Sequence, residues 1–297
     1  MSNKKELKIS NKSDRPDNIV LRDHLLIEKA MEYEKRLPSF MKDYFVYLKS
    51  SVAVSTRAAY LEDIIFFCEY IVNESGLTDK DDIKNLTVED FKNIKSRDVN
   101  LFLGDYCPRY YKEREDHTFV YENNNRALAR KKSSISTLFK FLYRNEQLPT
   151  NITDGFNPIK LPKPQPDAIK RLDIDEVMVM LDAVESGEGL TEKEKVYWEK
   201  TKLRDKAILA LFVTYGLRLN ELRELNISSF NFSRGEFKIY RKRGKEVLMP
   251  INKTCENVVI DYINYERPKS EDLPEDVQDA LFLSLQRKRL TPRAIRQ

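Results

Sequence analysis

The run Tyr215-Gly216-Leu217-Arg218-Leu219-Asn220-Glu221-Leu222 obliges one helix to end and a second to begin within eight residues. Upstream, Ala207, Ile208, Leu209, Leu211, Phe212 and Val213 form an apolar helical stretch. Gly216 is the residue there that best tolerates the positive φ with which helices commonly close. Arg218 therefore falls at the start of the second helix. Glu221, three residues on, lies on the same face within reach of its guanidinium. A loop over Asn226 to Arg234 follows, then two β-like runs, Glu236 to Tyr240 and Glu246 to Ile251, joined by the basic tip Arg241-Lys242-Arg243-Gly244-Lys245. The pattern predicts helix, break, arginine-bearing helix, and a hairpin with a basic tip.

Taken alone, each piece has an ordinary reading. An Arg-x-x-Glu pair on a helix is commonly a surface ion pair worth about 0.2–1 kcal/mol, and a basic turn is commonly a solvated one. Their order along the chain carries more. Gly-Leu-Arg-x-x-Glu-Leu, then a hairpin of the form basic-Lys-x-x-Lys-x-x-x-x-Pro, then Leu281-Phe282-Leu283-Ser284, resembles the first half of the catalytic domain of tyrosine recombinases, the phage integrase and Xer-type enzymes. The resemblance implies that Arg218 is the first of two arginines clamping the scissile phosphate, with Glu221 supporting it. It also implies that Lys242 is the general acid, with Lys245 as the runner-up.

The remainder of the chain is consistent with two domains. With 297 residues, 41% hydrophobic and 34% charged, it is long enough for two cores, and its 8 glycines suit a helix-rich protein. Residues 1–20 read as a flexible polar tail. Residues 21–148 read as a helical domain, with a core-facing stripe at Phe40, Met41, Tyr44, Phe45 and Leu48 and a helix capped by Ser55-Thr56 that carries Tyr60, Ile64, Phe67 and Ile71. Thr87 and Ser96 start two short elements, and residues 107–124 read as an exposed loop. Pro149, Pro158, Pro162, Pro164 and Pro166 mark residues 149–169 as a stiff linker, because each fixes φ and biases its predecessor away from helix. Residues 170–297 form the second domain, opened by Asp173-Ile174-Asp175-Glu176, with a charged insertion or loop over Glu185 to Lys200.

Two motifs in the first domain, Ser-Thr-x-x-x-Tyr-x-x-Asp-x-x-x-Phe and the basic helix Asn125 to Asn145, are similar to the core-binding domain of the same family. The fold class expected is therefore mainly α with a small β-hairpin or sheet: a helical, SAM-like core-binding domain plus a mixed α/β catalytic domain of the tyrosine-recombinase type, the latter incomplete.

Net charge is a weak guide, because 52 basic residues are nearly balanced by 48 acidic ones to give +4. Any nucleic-acid surface has to come from local clusters. Three exist: Arg126, Arg130, Lys131 and Lys132; Arg241 and Arg243 at the hairpin tip; and Lys288 with Arg289. The first cluster sits at the N-terminal half of a helix, where the dipole disfavours cations, so phosphates supplying the counter-charge would account for it. Two histidines and three scattered cysteines, with no C-x-x-C pair, offer no metal site, and no cofactor is expected. The polar N-terminal residues lack the apolar stretch of a signal peptide, and a cytoplasmic location is expected.

The family's second half supplies a His-x-x-Arg motif, a further His or Trp and the tyrosine nucleophile. Neither His24 nor His117 has an Arg three residues on, and both precede the second domain. Tyr262 and Tyr265 precede the place of the missing motif. Thr291-Pro292 starts one more helix. The chain is thus expected to be truncated and inactive alone. The implied activity is site-specific DNA integration, excision or resolution through a 3′-phosphotyrosine link, on double-stranded DNA and as a family-type homotetramer on two sites. The alternative is a catalytically incomplete DNA-binding protein that occupies recombination sites or modulates full-length recombinases, as a monomer.

Overall fold

The computed structural model describes residues 15–114, 117–162, 172–241 and 245–296. These fall into two compact units, residues 20–162 and residues 172–296 together with 15–19. Helix α1 (Asp17–Arg36) starts at Asp17, earlier than the polar composition of the N-terminal segment suggests, and Ile19 and Val20 are buried.

The first unit is built around α3 (Val54–Asn73), which packs on α2 (Lys42–Ser51) and α6 (Asn125–Arg144). Burial on α3 extends well beyond one stripe, taking in Ala58, Leu61, Ile64, Ile65, Phe66, Phe67, Cys68 and Ile71. Its core partners include Met41, Tyr44 and Leu48 from the stripe read in the sequence, and Ile135, Leu138, Phe139 and Leu142 of α6. Phe67 meets Phe102 edge-on at 5.0 Å between ring centroids. The cap of α3 differs from expectation: the N-cap is Ala53, extended and without a side-chain bond, and Ser55 and Thr56 lie inside the first turn. Thr87 does cap α4 (Val88–Asn93), exchanging hydrogen bonds with Asp90. At α5 (Ser96–Leu101) the Ser96 hydroxyl instead donates to the Ile152 carbonyl at 2.8 Å.

The stretch expected as an exposed loop contains two paired antiparallel strands, β1 (Arg109–Arg114) and β2 (His117–Glu122), in which Tyr110 stacks on Tyr121 at 5.2 Å. Tyr110 also packs against Phe66, so aromatic contacts outweigh the charged composition that suggested a loop. The first half of the proline-rich stretch is held against the first unit. Asn100 donates to Gly155 O and accepts from the Asn157 amide, and the Lys132 ammonium donates to Asn157 O at 2.7 Å. Pro164 and Pro166 lie outside the described residues.

The second unit opens with α7 (Ile174–Ser186), closed by Gly187 at φ 69. The charged stretch expected as a loop contains α8 (Glu192–Trp198), because Thr191 and Glu194 form a reciprocal cap and the Trp198 indole donates to Val184 O at 2.7 Å. Helix α9 (Lys202–Tyr215) is the centre of this unit, packing on α7 and α11 (Lys253–Asp261). The Glu266 carboxylate accepts from the amides of Leu203 and Arg204 at its N-terminus. Gly216 closes α9 at φ 56, and α10 (Leu219–Arg223) follows at once. Strands β3 (Phe230–Asn231), β4 (Glu236–Tyr240) and β5 (Glu246–Pro250) form an antiparallel sheet in which Tyr240 pairs with Glu246. Phe237 and Ile239 point into a core that includes Leu211, Leu222, Leu281 and Phe282. Thr291 caps α12 (Pro292–Arg296), accepting from Ala294 N at 3.2 Å.

Candidate functional site

The αL turn at Gly216 places Arg218 at the N-cap of α10, where its backbone is extended (φ −72, ψ 148). Glu221, one turn on, is directed back at it. One carboxylate oxygen accepts from the Arg218 amide at 2.9 Å and the other from its Nη1 at 2.7 Å. The two side chains differ sharply in environment. Glu221 is 6% exposed, whereas Arg218 is 72% exposed. A buried carboxylate thus holds one edge of a guanidinium whose other edge faces solvent, an arrangement suited to two parallel hydrogen bonds to an oxyanion.

The same Glu221 oxygen lies 4.0 Å from Nε of Arg241, at the end of β4. The Arg241 amide donates to Lys245 O at 2.8 Å, closing the base of the hairpin. The sheet therefore brings the start of the basic tip to the carboxylate that holds Arg218. Lys245 is exposed. Lys242 and Arg243 lie outside the described residues.

Both tyrosines set aside in the sequence have structural surroundings. Tyr262 is buried against Phe282, its hydroxyl accepts from Leu283 N, and burial pushes its phenol up to about 12. Tyr265 is exposed. The Ser229 hydroxyl accepts from the Asn226 amide, and the nearby Asp279 carboxylate accepts from the amide and hydroxyl of Ser228.

A second basic surface lies on α6. Over twenty residues this helix has no acidic side chain. Leu128, Ile135, Leu138, Phe139 and Leu142 face the core, while Arg126, Arg130, Ser133, Thr137, Lys140 and Arg144 recur three or four residues apart along the other side. The result is a stripe of cations and hydroxyls with an apolar back.

Three of the phosphate-binding residues expected from sequence have partners within the protein. Lys131 is buried: its ammonium reaches Asp63 at 3.1 Å and sits 4.7 Å from the centre of the Phe66 ring. Lys132 is occupied with the carbonyls of residues 156 and 157. Arg289 donates to the carbonyls of Arg223 and Leu225 and to the Asn226 side chain, bracing the end of α10, so its donors are directed inward. Arg126 and Lys288 are exposed, as is Arg130 in part. Asp63 escaped sequence reading as a charged partner, although an acidic residue directly before Ile64-Ile65-Phe66-Phe67 was the available signal. It supplies part of the counter-charge that the basic N-terminal half of α6 calls for.

Among the described residues no group of His, Cys, Asp or Glu is placed to hold a metal ion, and no helix is long and apolar enough to cross a membrane.

Fold and site define a two-unit, largely helical protein whose second unit presents a carboxylate-held arginine beside a β-hairpin. Residues 170–297 match the model of the phage integrase family. The tyrosine recombinase XerS of Streptococcus thermophilus (strain CNRZ 1066) is 27% identical over 285 residues, covering 89% of this chain and 77% of the relative. The tyrosine recombinase XerC of Syntrophus aciditrophicus is 27% identical over 256 residues, covering 85% and 72%. The chain is similar to tyrosine recombinases over most of its length. Its fold is shared with the XerH site-specific recombinase bound to difH substrate in a pre-cleavage complex, at a TM-score of 0.51 and 16% identity, over 95% of this chain and 71% of that one. A lambda integrase (75-356) dimer bound to a COC′ core site gives the same TM-score and identity, over 86% and 74%.

Proposed function

We propose that this protein takes part in site-specific DNA recombination, cutting and rejoining strands without a metal. Similarity to tyrosine recombinases supports an enzyme of that class. The observation that carries the reading is the Arg218–Glu221 pair: an exposed guanidinium held from behind by a buried carboxylate, next to the hairpin. In this reading Arg218 neutralises the non-bridging oxygens of the scissile phosphate, where preorganised donors act most strongly on developing charge. Glu221 fixes the guanidinium fork. A tyrosine hydroxyl attacks phosphorus to give the 3′-phosphotyrosine, and Lys242 protonates the departing 5′-oxygen, with Lys245 as the other candidate.

Double-stranded DNA is the proposed partner, tracked by the α6 stripe and by Arg126, Arg130 and Lys288 through phosphate contacts that weaken with salt. A tetramer on two sites and a cytoplasmic setting accompany this reading. Residues 1–297 contain no His-x-x-Arg. The test accordingly joins them to a recombinase segment carrying that motif and the tyrosine, and measures denaturant-resistant protein–DNA adduct on a nicked duplex. The fused parent should form adduct and Arg218→Ala should not, while both bind DNA. Full adduct formation by Arg218→Ala would make the pair a structural ion pair only.

A further inference from the structure

We propose that Asp63 is a positioning residue for DNA binding, orienting Arg130 so that one edge of its guanidinium meets a phosphate. The proposal rests on the DNA-binding reading given above. Asp63 is 1% exposed, yet it lies on α3 directly beneath the basic half of α6. One of its oxygens accepts from Arg130 Nη1 at 2.5 Å and from the Ser134 hydroxyl at 3.1 Å, and the other accepts from the Lys131 ammonium at 3.1 Å. Arg130 Nη1 also donates to Ala59 O at 3.2 Å.

Both hydrogens of Nη1 are thereby directed inward. No described residue takes a hydrogen bond from Nε or Nη2, and these two nitrogens form the edge that pairs with planar or tetrahedral oxyanions through parallel bonds. The side chain is 44% exposed, so that edge reaches solvent. The group carries two cations to one anion and stays positive overall. Because the carboxylate is sealed from water by its own partners, its hold on Arg130 is stronger than that of an exposed pair. Arg126, Ser133, Thr137 and Lys140 extend the same side of α6, which places the Arg130 fork within a longer row of donors.

A bulk-charge account makes the opposite forecast. Removing a negative charge from beneath a basic surface should strengthen association with a polyanion. Positioning requires that Asp63→Asn weaken it. The experiment is fluorescence anisotropy of the 297-residue chain with a labelled duplex oligonucleotide across a salt series, for the parent, Asp63→Asn, Arg130→Ala and the double variant, with circular dichroism verifying the fold.

Arg130→Ala should weaken binding on the order of tenfold, as for loss of a charge-assisted contact, and lower the salt slope by about one. Asp63→Asn should weaken binding by a similar factor, and the double variant should be no weaker than either single one. Tighter binding by Asp63→Asn, or effects that add in the double variant, would overturn the positioning role while leaving DNA binding intact. Absence of duplex binding by the parent would instead remove the DNA reading and the proposal with it. Arg130→Lys gives an arm that leaves Asp63 in place: its single ammonium is drawn to Asp63 without a second donor edge, so it should bind as weakly as Arg130→Ala. Parent-like binding by Arg130→Lys would show that the fork is not used.

Discussion

Glu221 holds Arg218 by two hydrogen bonds, one to its amide at 2.9 Å and one to its guanidinium at 2.7 Å, while Arg241 approaches the same carboxylate at 4.0 Å. The acid is the buried member of the group and the arginines are the accessible ones. Glu221→Gln keeps the volume but replaces one of the two accepting oxygens with a donor and removes the charge that orients the fork. In the fused recombinase, Arg218→Ala should lower the adduct rate by roughly 3 kcal/mol of transition-state stabilisation or more. Glu221→Gln should lower it by less, with duplex affinity unchanged. Single-turnover adduct kinetics compare the two, and a larger loss for Glu221→Gln than for Arg218→Ala would contradict a supporting role.

Lys242 and Lys245 separate by leaving-group chemistry. A substrate with a bridging 5′-sulfur departs without protonation, so loss of the true general acid should be rescued on it. Lys242→Ala should therefore be slow on the normal substrate and near-parental on the sulfur-bridged one, and rescue of Lys245→Ala instead would move the role along the hairpin.

Lys131 behaves as a core residue. Lys131→Ala leaves Asp63 with Arg130 and Ser134, so the loss should be about 2 kcal/mol, the range for a hydrogen bond to a charged group. Asp63→Ala strands Lys131 in the interior and should cost more, roughly 3–5 kcal/mol. Urea denaturation of both variants checks the order, which reverses if Lys131 is held mainly by the Phe66 ring.

Gly216→Ala meets no atom within 4 Å, yet φ is 56. The penalty should be that of the left-handed conformation alone, about 1–2 kcal/mol, read as a lowered denaturation midpoint. No change in midpoint would mean that the turn relaxes.

The Thr87–Asp90 cap should be acid-sensitive. Burial opposes ionisation of Asp90, but bonds from Thr87 and Thr78 outweigh it and hold the carboxyl below its ordinary 3.8. A depressed carboxyl stabilises the fold fully above the unfolded value and stops doing so as pH falls through the folded one. The Tm gap between the parent and Asp90→Ala should therefore be constant near neutrality and close below pH 3.8. A gap that persists there would mean that the neutral acid caps equally well.

Local signals were legible in the amino-acid sequence wherever the physics is local. The Gly216 break, the β4–β5 hairpin, the caps at Thr87 and Thr291 and the apolar face of α6 depend on backbone conformation and on neighbours within a turn or a strand pair, so residue type and spacing determine them. Tertiary structure decided what distant residues do to one another. Lys131 sits in a basic run identical in kind to its neighbours, and only the position of Asp63 on another helix makes it a buried ion-pair partner. Arg289 belongs to a basic cluster by sequence, yet the carbonyls at the end of α10 turn its donors inward. Residues 109–114 and 117–122 carry the charges of a loop, and the packing of Tyr110 on Phe66 and Tyr121 accompanies their pairing as strands. A charge has no preferred partner until the chain is folded, because the energy of the pair depends on separation and burial, and neither is a property of the sequence position.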